Sequence, residues 1–583
     1  MNGPARPTAR GAAPPATAAT GTTDTAVLDG AVEDVAARAG WWSGQGPAAR
    51  AALLDRVLAD TVGAAERWLD DACSAKGLDR HSPAAGEELL SGVVPFVRLA
   101  RLLRDSLFDI ERTGRPQFPG PVRALPDRRL AVGVFPADRF DRVLYPGYHA
   151  EVWMPPGRSL REVEAAQAAA YRDPAAAAGV AVVLGAGNVA SLGPRDALGK
   201  LFAEGKVVVL KANPVNAYLV PHWRRAMAAL EEAGVLRVVS GDAAVGAHLT
   251  AHRLTDEIHV TGSDKTYEAI VFGTGDDGAR RKAAGQPVTT VPVTAELGNV
   301  SPLIVVPGEW TSAELRYQAA HAATTLVNNA GFNCLTTRVI VTHAGWPQRE
   351  AFLGALRQVL RQLPTRRAYY PGAAERRAAV LAAHPDAVSL GRPAAGELPW
   401  TLVEGVPPGR VDDISFNVEA FCGLTAETAL AAPSPSAFVD AAVEFANTVL
   451  WGTLAATVVV DPRARRRPEL AAAVERAVAG LRYGAVGVNA WHALCFALGN
   501  TTWGAYPGHR PDDIGSGVGV VGNAFLFDRP EKSVVEGPFR AHPEPAWFAT
   551  HRHTLTLARR LLAFEAAPSA RRLPGLVSAA LRR

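Results

Sequence analysis

Cys334 lies in the run Asn328–Val341, a polar, glycine-containing turn that leads into β-branched residues. Glu296 stands 38 residues earlier, at a comparable junction within Val293–Pro302. A thiol and a carboxylate at two such junctions are suitable parts for covalent catalysis by sulfur, the carboxylate serving as the general base that releases the intermediate. Taken alone, a free cysteine is more often a small buried hydrophobe. A third candidate is the turn Gly185-Ala-Gly-Asn-Val-Ala190, which follows an apolar strand and opens a helix. It matches the dinucleotide fingerprint G-x-G-x-x-A, whose backbone N–H groups receive a pyrophosphate. The next strand ends in Lys211, where that fingerprint wants an acid. The rival reading makes Asn188 an amide donor to a substrate oxygen.

These residues need rigid elements to hold them. Residues 25–113 repeat apolar positions at three- and four-residue spacing over 32–39, 49–72 and 87–107, the pattern of amphipathic helices. Residues 129–135 and 143–154 are β-rich runs, consistent with a hairpin arm over 127–154 that finds another chain to cover its edge. Strands at 179–184, 206–210, 236–240 and 257–261 then alternate with helices at 191–204 and 218–233, which predicts a parallel α/β sheet. A second α/β region over 294–505 has strands at 303–306, 339–341 and 455–460 and helices at 313–326 and 349–362. A strand at 523–527 and a helix from about 547 are expected beyond it.

Composition narrows the function. A chain of 583 residues exceeds one compact core. With a net charge of +4 and scattered basic residues, it offers no stripe for nucleic acid. Cys73, Cys334, Cys422 and Cys495 are far apart, so neither a disulfide framework nor a metal site is expected. Met1–Asp24 is rich in Ala, Pro and Thr and reads as a disordered leader, not a secretory signal. No uninterrupted apolar run reaches the ~18 residues of a membrane span, and the expected compartment is the cytoplasm.

In register, these motifs resemble the aldehyde dehydrogenase superfamily. Asn188 precedes Lys211 of Val207–Lys211 by 23 residues, as the family's loop asparagine precedes the lysine of its "VVLK" strand. His259–Ser263 is similar to its "FTGS" turn, Glu296–Pro302 to "ELGGKSP", and Asn329–Val341 to "NxGQxCxxxxRVLV". Glu419–Gly423 is an imperfect "ExFGP", and Tyr483–Asn489 is similar to a late family strand. The chain departs from the family at Gly187-Asn188, where a tryptophan is usual, at Tyr267 in place of a glycine, and at Pro214 in place of an acid.

The resemblance implies a Rossmann-type NAD(P)-binding domain over 25–293 and a catalytic domain over 294–510; the C-terminal extension over 511–583 exceeds it and is expected to add an oligomer contact or to cover a sheet edge. It implies oxidation of an aldehyde to an acid with NAD or NADP, in a homodimer or homotetramer. Cys334 would be the nucleophile, Glu296 the base, and Asn188 with the Cys334 N–H the oxyanion donors. Lys211, Gly262, Ser263, Glu419 and Phe421 would hold the cofactor. Two alternatives are a CoA-acylating relative and a non-catalytic scaffold, the latter motivated by Tyr267 and Pro214. Trp491, His492 and Trp503 are candidates for the pocket lining.

Overall fold

The computed structural model describes residues 24–581. The expected leader lies outside the described residues except for Asp24, whose carboxylate accepts the Ala26 N–H and caps the first helix. Helices then fill Thr25–Thr113, where the sequence pattern put them.

Three strands follow: β1 (Val122–Ala124), β2 (Leu130–Phe135) and β3 (His149–Met154). The alternating region supplies β4 (Val180–Leu184), β5 (Val207–Ala212), β6 (Leu236–Ser240), β7 (Glu257–Thr261) and β8 (Val293–Glu296). Beyond it come β9 (Ser301–Val305), β10 (Thr337–His343), β11 (Arg366–Arg367), β12 (Val388–Leu390), β13 (Glu397–Leu398) and β14 (Trp400–Val403). The last five are β15 (Leu424–Leu430), β16 (Ala455–Val459), β17 (Ala485–Val488), β18 (Gly517–Val518) and β19 (Lys532–Glu536).

A six-stranded sheet runs β18-β8-β7-β4-β5-β6, parallel except for β18. The chain passes from β4 outward to β6 and then returns to β7 on the other side. The junction of β4 and β7 is therefore a topological switch point, where open α/β sheets form their ligand crevice. Strands β4 to β6 are all but continuous Val, Leu and Ala because the helices of 25–113 and 192–232 cover both faces. Strand β8 moves one expected boundary. Val293–Glu296 belongs to this sheet, so the domain division falls after Glu296, not after residue 293.

The second sheet has eleven strands in the order β1-β2-β3-β19-β17-β16-β9-β10-β15-β14-β12. The hairpin arm forms as expected in β2 and β3, with a short helix, Arg139–Leu144, between them. Its β3 side is paired within the chain, while β1 ends the sheet on the β2 side. Strand β19 pairs antiparallel with β3 and parallel with β17, joining the arm to the catalytic sheet within one chain. The C-terminal extension thus covers a sheet edge. No strand forms at 523–527, where Leu526 has φ 52° and Phe527 stacks on Phe118 at 5.4 Å. The following helix, Thr554–Ala566, starts later than the expected 547 and packs against the helices Pro83–Ser91 and Val93–Thr113.

A buried ion cluster anchors that helix. Arg98 donates to Glu565 at 2.7 Å, to both Asp141 oxygens at 3.1 Å and to Asn500 at 2.8 Å, while Arg101 reaches the other Glu565 oxygen at 2.5 Å. Burial alone would raise the Glu565 carboxyl, but the two guanidinium groups outweigh it and hold it below its ordinary value. Glu565→Gln leaves Arg98 and Arg101 short of a buried counter-charge. It should lower stability by about 3 kcal/mol, read as a lower urea midpoint at pH 7. An unchanged midpoint would show that the cluster does not anchor the extension.

Candidate active site

Glu296 ends β8 of the smaller sheet, and Cys334 sits just before β10 of the larger one. The thiol donates to Glu296 Oε1 at 3.5 Å, and the same oxygen accepts the Trp503 indole N–H at 2.7 Å. Glu296 is 2% exposed, and its Oε2 has no protein partner. Burial, reinforced by the nearby Asp196 carboxylate, pushes Glu296 up to about 7, against the lowering effect of the Trp503 and Cys334 hydrogen bonds. Burial and the carboxylates of Glu296 and Glu419 push the half-buried Cys334 thiol well above its ordinary value. The resting pair is therefore a protonated thiol beside a base poised near neutrality.

The turn that presents Cys334 is left-handed at three successive residues: Asn329 (φ 50°), Ala330 (φ 56°) and Gly331 (φ 79°). At Gly331 a side chain is excluded, because a Cβ there would stand 2.5 Å from the Cys422 carbonyl. The two non-glycine residues cost energy that their surroundings must offset. The Asn329 amide donates to Asn188 O at 2.8 Å, its Oδ1 accepts from Tyr369 at 2.9 Å, and its N–H donates to Glu87 at 2.8 Å. Arg338, fully buried, staples the turn from behind by donating to Cys422 O at 2.6 Å and Gly331 O at 2.8 Å. His492 meets Leu335 O at 2.8 Å, on the far side of the thiol.

The Asn188 amide donates to Phe332 O at 2.9 Å, which fixes its plane and leaves its second N–H free for another acceptor. Its own carbonyl is held by Lys76, Asn329 and Tyr369. Asn188, Glu296 and Cys334 all line one cavity of about 1420 Å³.

That cavity extends from Cys334 to the carboxyl ends of β4 and β5. Lys211, Gly262, Ser263, Glu419 and Phe421 line it, so all eight residues singled out from the sequence come together. Among the described residues no acceptor holds the Lys211 ammonium, which burial pulls down to about 8. Ser263 caps the helix Asp264–Phe272 by accepting the Thr266 N–H. Glu419 Oε1 is buried without a partner, and burial pushes this carboxyl up to about 7 although Arg338 and Arg376 oppose it. Gly298 is needed here, since a Cβ would collide with the Glu419 carboxylate. Phe421 packs edge-on to Tyr370 with centroids 4.9 Å apart.

An orphaned carboxylate oxygen, a free ammonium group and a helix N-terminus along one elongated cavity fit a dinucleotide with its ribose hydroxyls and phosphates. Tyr267 is no obstacle. It is 3% exposed and turned into a small core with Val260, Val271 and Leu297.

Sequence reasoning missed several contributors. Asp196 tunes the base from a helix that carries no motif. Lys76 and Tyr369 act on Asn188 from distant helix and loop positions. Asn329 and Arg338 lay inside the Cys334 run but received no role, although asparagine tolerates left-handed backbone better than most residues.

Residues 150–373 match the aldehyde dehydrogenase family, and no curated protein sequence matches the chain. The fold is similar to that of the aldehyde dehydrogenase KauB from Pseudomonas aeruginosa (19% identity, 88% of this chain and 90% of that one, TM-score 0.58). It is also similar to the substrate-bound state of Staphylococcus aureus AldH (16% identity, 89% and 95%, TM-score 0.58). The NADP-dependent glyceraldehyde-3-phosphate dehydrogenase of Bacillus halodurans C-125, complexed with NADP, is a third such structure (16% identity, 88% and 92%, TM-score 0.55). The matched segment is thus similar to the aldehyde dehydrogenase family, and these solved structures share the fold of the chain.

Alkylation of Cys334 by iodoacetamide, followed by peptide mapping, should be slow at pH 7 and keep accelerating above pH 9. A rate already level between pH 7 and pH 9 would show a thiolate that this site does not favour.

Proposed function

We propose that the chain oxidises an aldehyde to a carboxylic acid with NAD+ or NADP+, through a thioester on Cys334. The observation that carries this reading is the 3.5 Å contact between the thiol and the buried Glu296 carboxylate, at the inner end of a cavity suited to a dinucleotide.

Glu296 takes the thiol proton as the sulfur bonds to the aldehyde carbon. The carbonyl oxygen becomes an oxyanion, met by the free Asn188 amide N–H and the Cys334 backbone N–H. Lys211 and Glu419 would hold the ribose hydroxyls of the dinucleotide, and Phe421 would form part of the wall against it. When bound, the dinucleotide supplies the two-electron oxidant that turns the sulfur adduct into a thioester. Once that first proton has passed to solvent, Glu296 takes a proton from the water that attacks the thioester carbon, and as the C–S bond breaks it returns this proton to the departing sulfur, restoring the thiol. Pro214 stands three residues after Lys211 where an acid would repel a 2′-phosphate, so both NAD+ and NADP+ are accepted.

The test follows reduced dinucleotide and acid with a panel of aldehydes, both dinucleotides, and CoA present or absent. CoA-independent acid formation, equimolar with reduced dinucleotide, is expected, with a loss of about 10³-fold or more in Cys334→Ala. Glu296→Gln should slow both the first equivalent of reduced dinucleotide and the release of acid, because one carboxylate serves both steps. Turnover only with CoA would overturn the hydrolytic reading, and failure to bind either dinucleotide would overturn the oxidative one.

The pH profile gives a separate check. Deprotonated Glu296 is the active form, and its value of about 7 makes activity rise as pH increases through neutrality. Removing the neighbouring negative charge in Asp196→Asn should lower that value, so the rising limb moves to lower pH. A limb unmoved in this variant would take Asp196 out of the account.

A further inference from the structure

The two donors that meet the oxyanion in the proposed reaction sit on different sheets. Asn188 follows β4 of the smaller sheet, and Cys334 precedes β10 of the larger one. Two side chains touch both segments, and they do so at the same pair of oxygens. The Lys76 ammonium donates to Asn188 O at 3.4 Å and to Asn329 Oδ1 at 3.3 Å. The Tyr369 hydroxyl meets those oxygens at 2.8 and 2.9 Å. Asn329 is the first of the three left-handed residues that lead to Cys334, so whatever fixes its side chain fixes the turn.

Lys76 is the last residue of the helix Pro47–Lys76, where a cation suits the carbonyl end. Its third acceptor is Glu88 Oε2 at 2.7 Å, on the helix Pro83–Ser91, so all three ammonium protons are used. Burial alone would lower Lys76, but the buried Glu88 carboxylate outweighs it and holds the ammonium above its ordinary value. The ammonium also stands 5.0 Å from the centre of the Tyr369 ring. Glu87, beside Glu88, accepts the Asn329 N–H at 2.8 Å and pairs with Arg366 at 2.5 Å. Lys76, Glu87 and Glu88 lie outside residues 150–373, the part that matches the family. Neither Lys76 nor Tyr369 lines the cavity that holds Cys334, so neither meets a substrate there.

We propose that Lys76 and Tyr369 are positioning residues that clip the Asn188 loop to the Cys334 turn, and so set the gap between the two oxyanion donors. The inference rests on the aldehyde-oxidising reading for its chemistry. Removing an oxyanion donor outright costs about 10²–10³-fold in kcat. Opening the clip keeps both donors but lets their gap vary, so a smaller loss of about tenfold is expected. It should fall on kcat, because the oxyanion exists only once the sulfur has bonded to carbon. Dinucleotide affinity, set along the rest of the cavity, should not change.

Lys76→Met alone would strand Glu88 without its cation. The first variant is therefore Lys76→Met/Glu88→Gln, which removes both charges and keeps the side-chain lengths. Tyr369→Phe is the second, milder variant and loses one hydroxyl. In each, kcat for an aldehyde that the unaltered chain oxidises should fall about tenfold, with binding of NAD+ and NADP+ unchanged by titration. Amide hydrogen exchange of the ligand-free protein over residues 328–336 should be roughly tenfold faster in both variants, and that of β4 and β5 unchanged. Should the double variant fail to fold, Tyr369→Phe decides by the same measurements. An unchanged kcat, or a fall matched by an equal loss of dinucleotide affinity, would overturn the positioning role. So would unchanged exchange over 328–336. If the unaltered chain oxidises no aldehyde, the proposed reaction fails, and the exchange measurement still decides the clip.

Discussion

The structure depends on keeping one carboxylate inside the protein without a cation hydrogen-bonded to it. Glu296 is almost fully enclosed, and its hydrogen bonds come from a neutral indole and a neutral thiol. An isolated buried carboxylate resists ionisation, and here the raised value is what makes it a base at neutral pH. The donors could have included a guanidinium group, since Arg195 is buried in the same region. However, its fork donates to Phe496 O at 2.8 Å and its ring neighbour is Phe496, with 3.7 Å from Cζ to the ring centroid. Full pairing of Glu296 with that cation would have stabilised the charge and removed its basicity. The energy that pays for an under-solvated carboxylate must come from the packing around it.

That packing is assembled from both sheets and from the extension. Glu296 belongs to the dinucleotide sheet and Cys334 to the larger one, so their contact is also a constraint on how the two sheets meet. Strand β18 pairs with the last two residues of β8, and Leu297 N–H donates to Ser516 O at 2.8 Å, which closes the edge beside the base. Trp503 lies between β17 and β18 along the chain. Farther on, β19 locks the arm to the catalytic sheet, and Glu565 ties the last long helix to the N-terminal helices. The residues after about 500 act as a strap across all three parts and hold the base in place.

Much of this was legible in the residues themselves. Strands β4 to β7 follow from apolar runs spaced by helical segments, and the 23-residue interval from Asn188 to Lys211 gave the register that linked two otherwise weak signals. The same local logic misled at 523–527. Its aromatic residues look like a strand but serve as packing units in a turn, with Phe527 on Phe118. Lys532–Glu536 looks less apolar yet forms the strand, because the buried Lys532 ammonium caps the carbonyls of Val478, Ala479 and Leu481. Tyr267 shows a different limit. A ring that stands where the family has a glycine lies in the core, and side-chain direction cannot be taken from register alone. The Glu296–Trp503 bond joins residues 207 apart, a long-range pairing with no local signature.

The arrangement around Cys334 ties the proposed chemistry to one shared space. Asn188, Glu296 and Cys334 line the same cavity as Lys211, Glu419 and Phe421. Under the proposed reading, the water that Glu296 would activate reaches it through the space that a dinucleotide would also use. A change that narrows the cavity near Glu296 would then alter both hydrolysis and dinucleotide binding, and the two cannot be tuned apart.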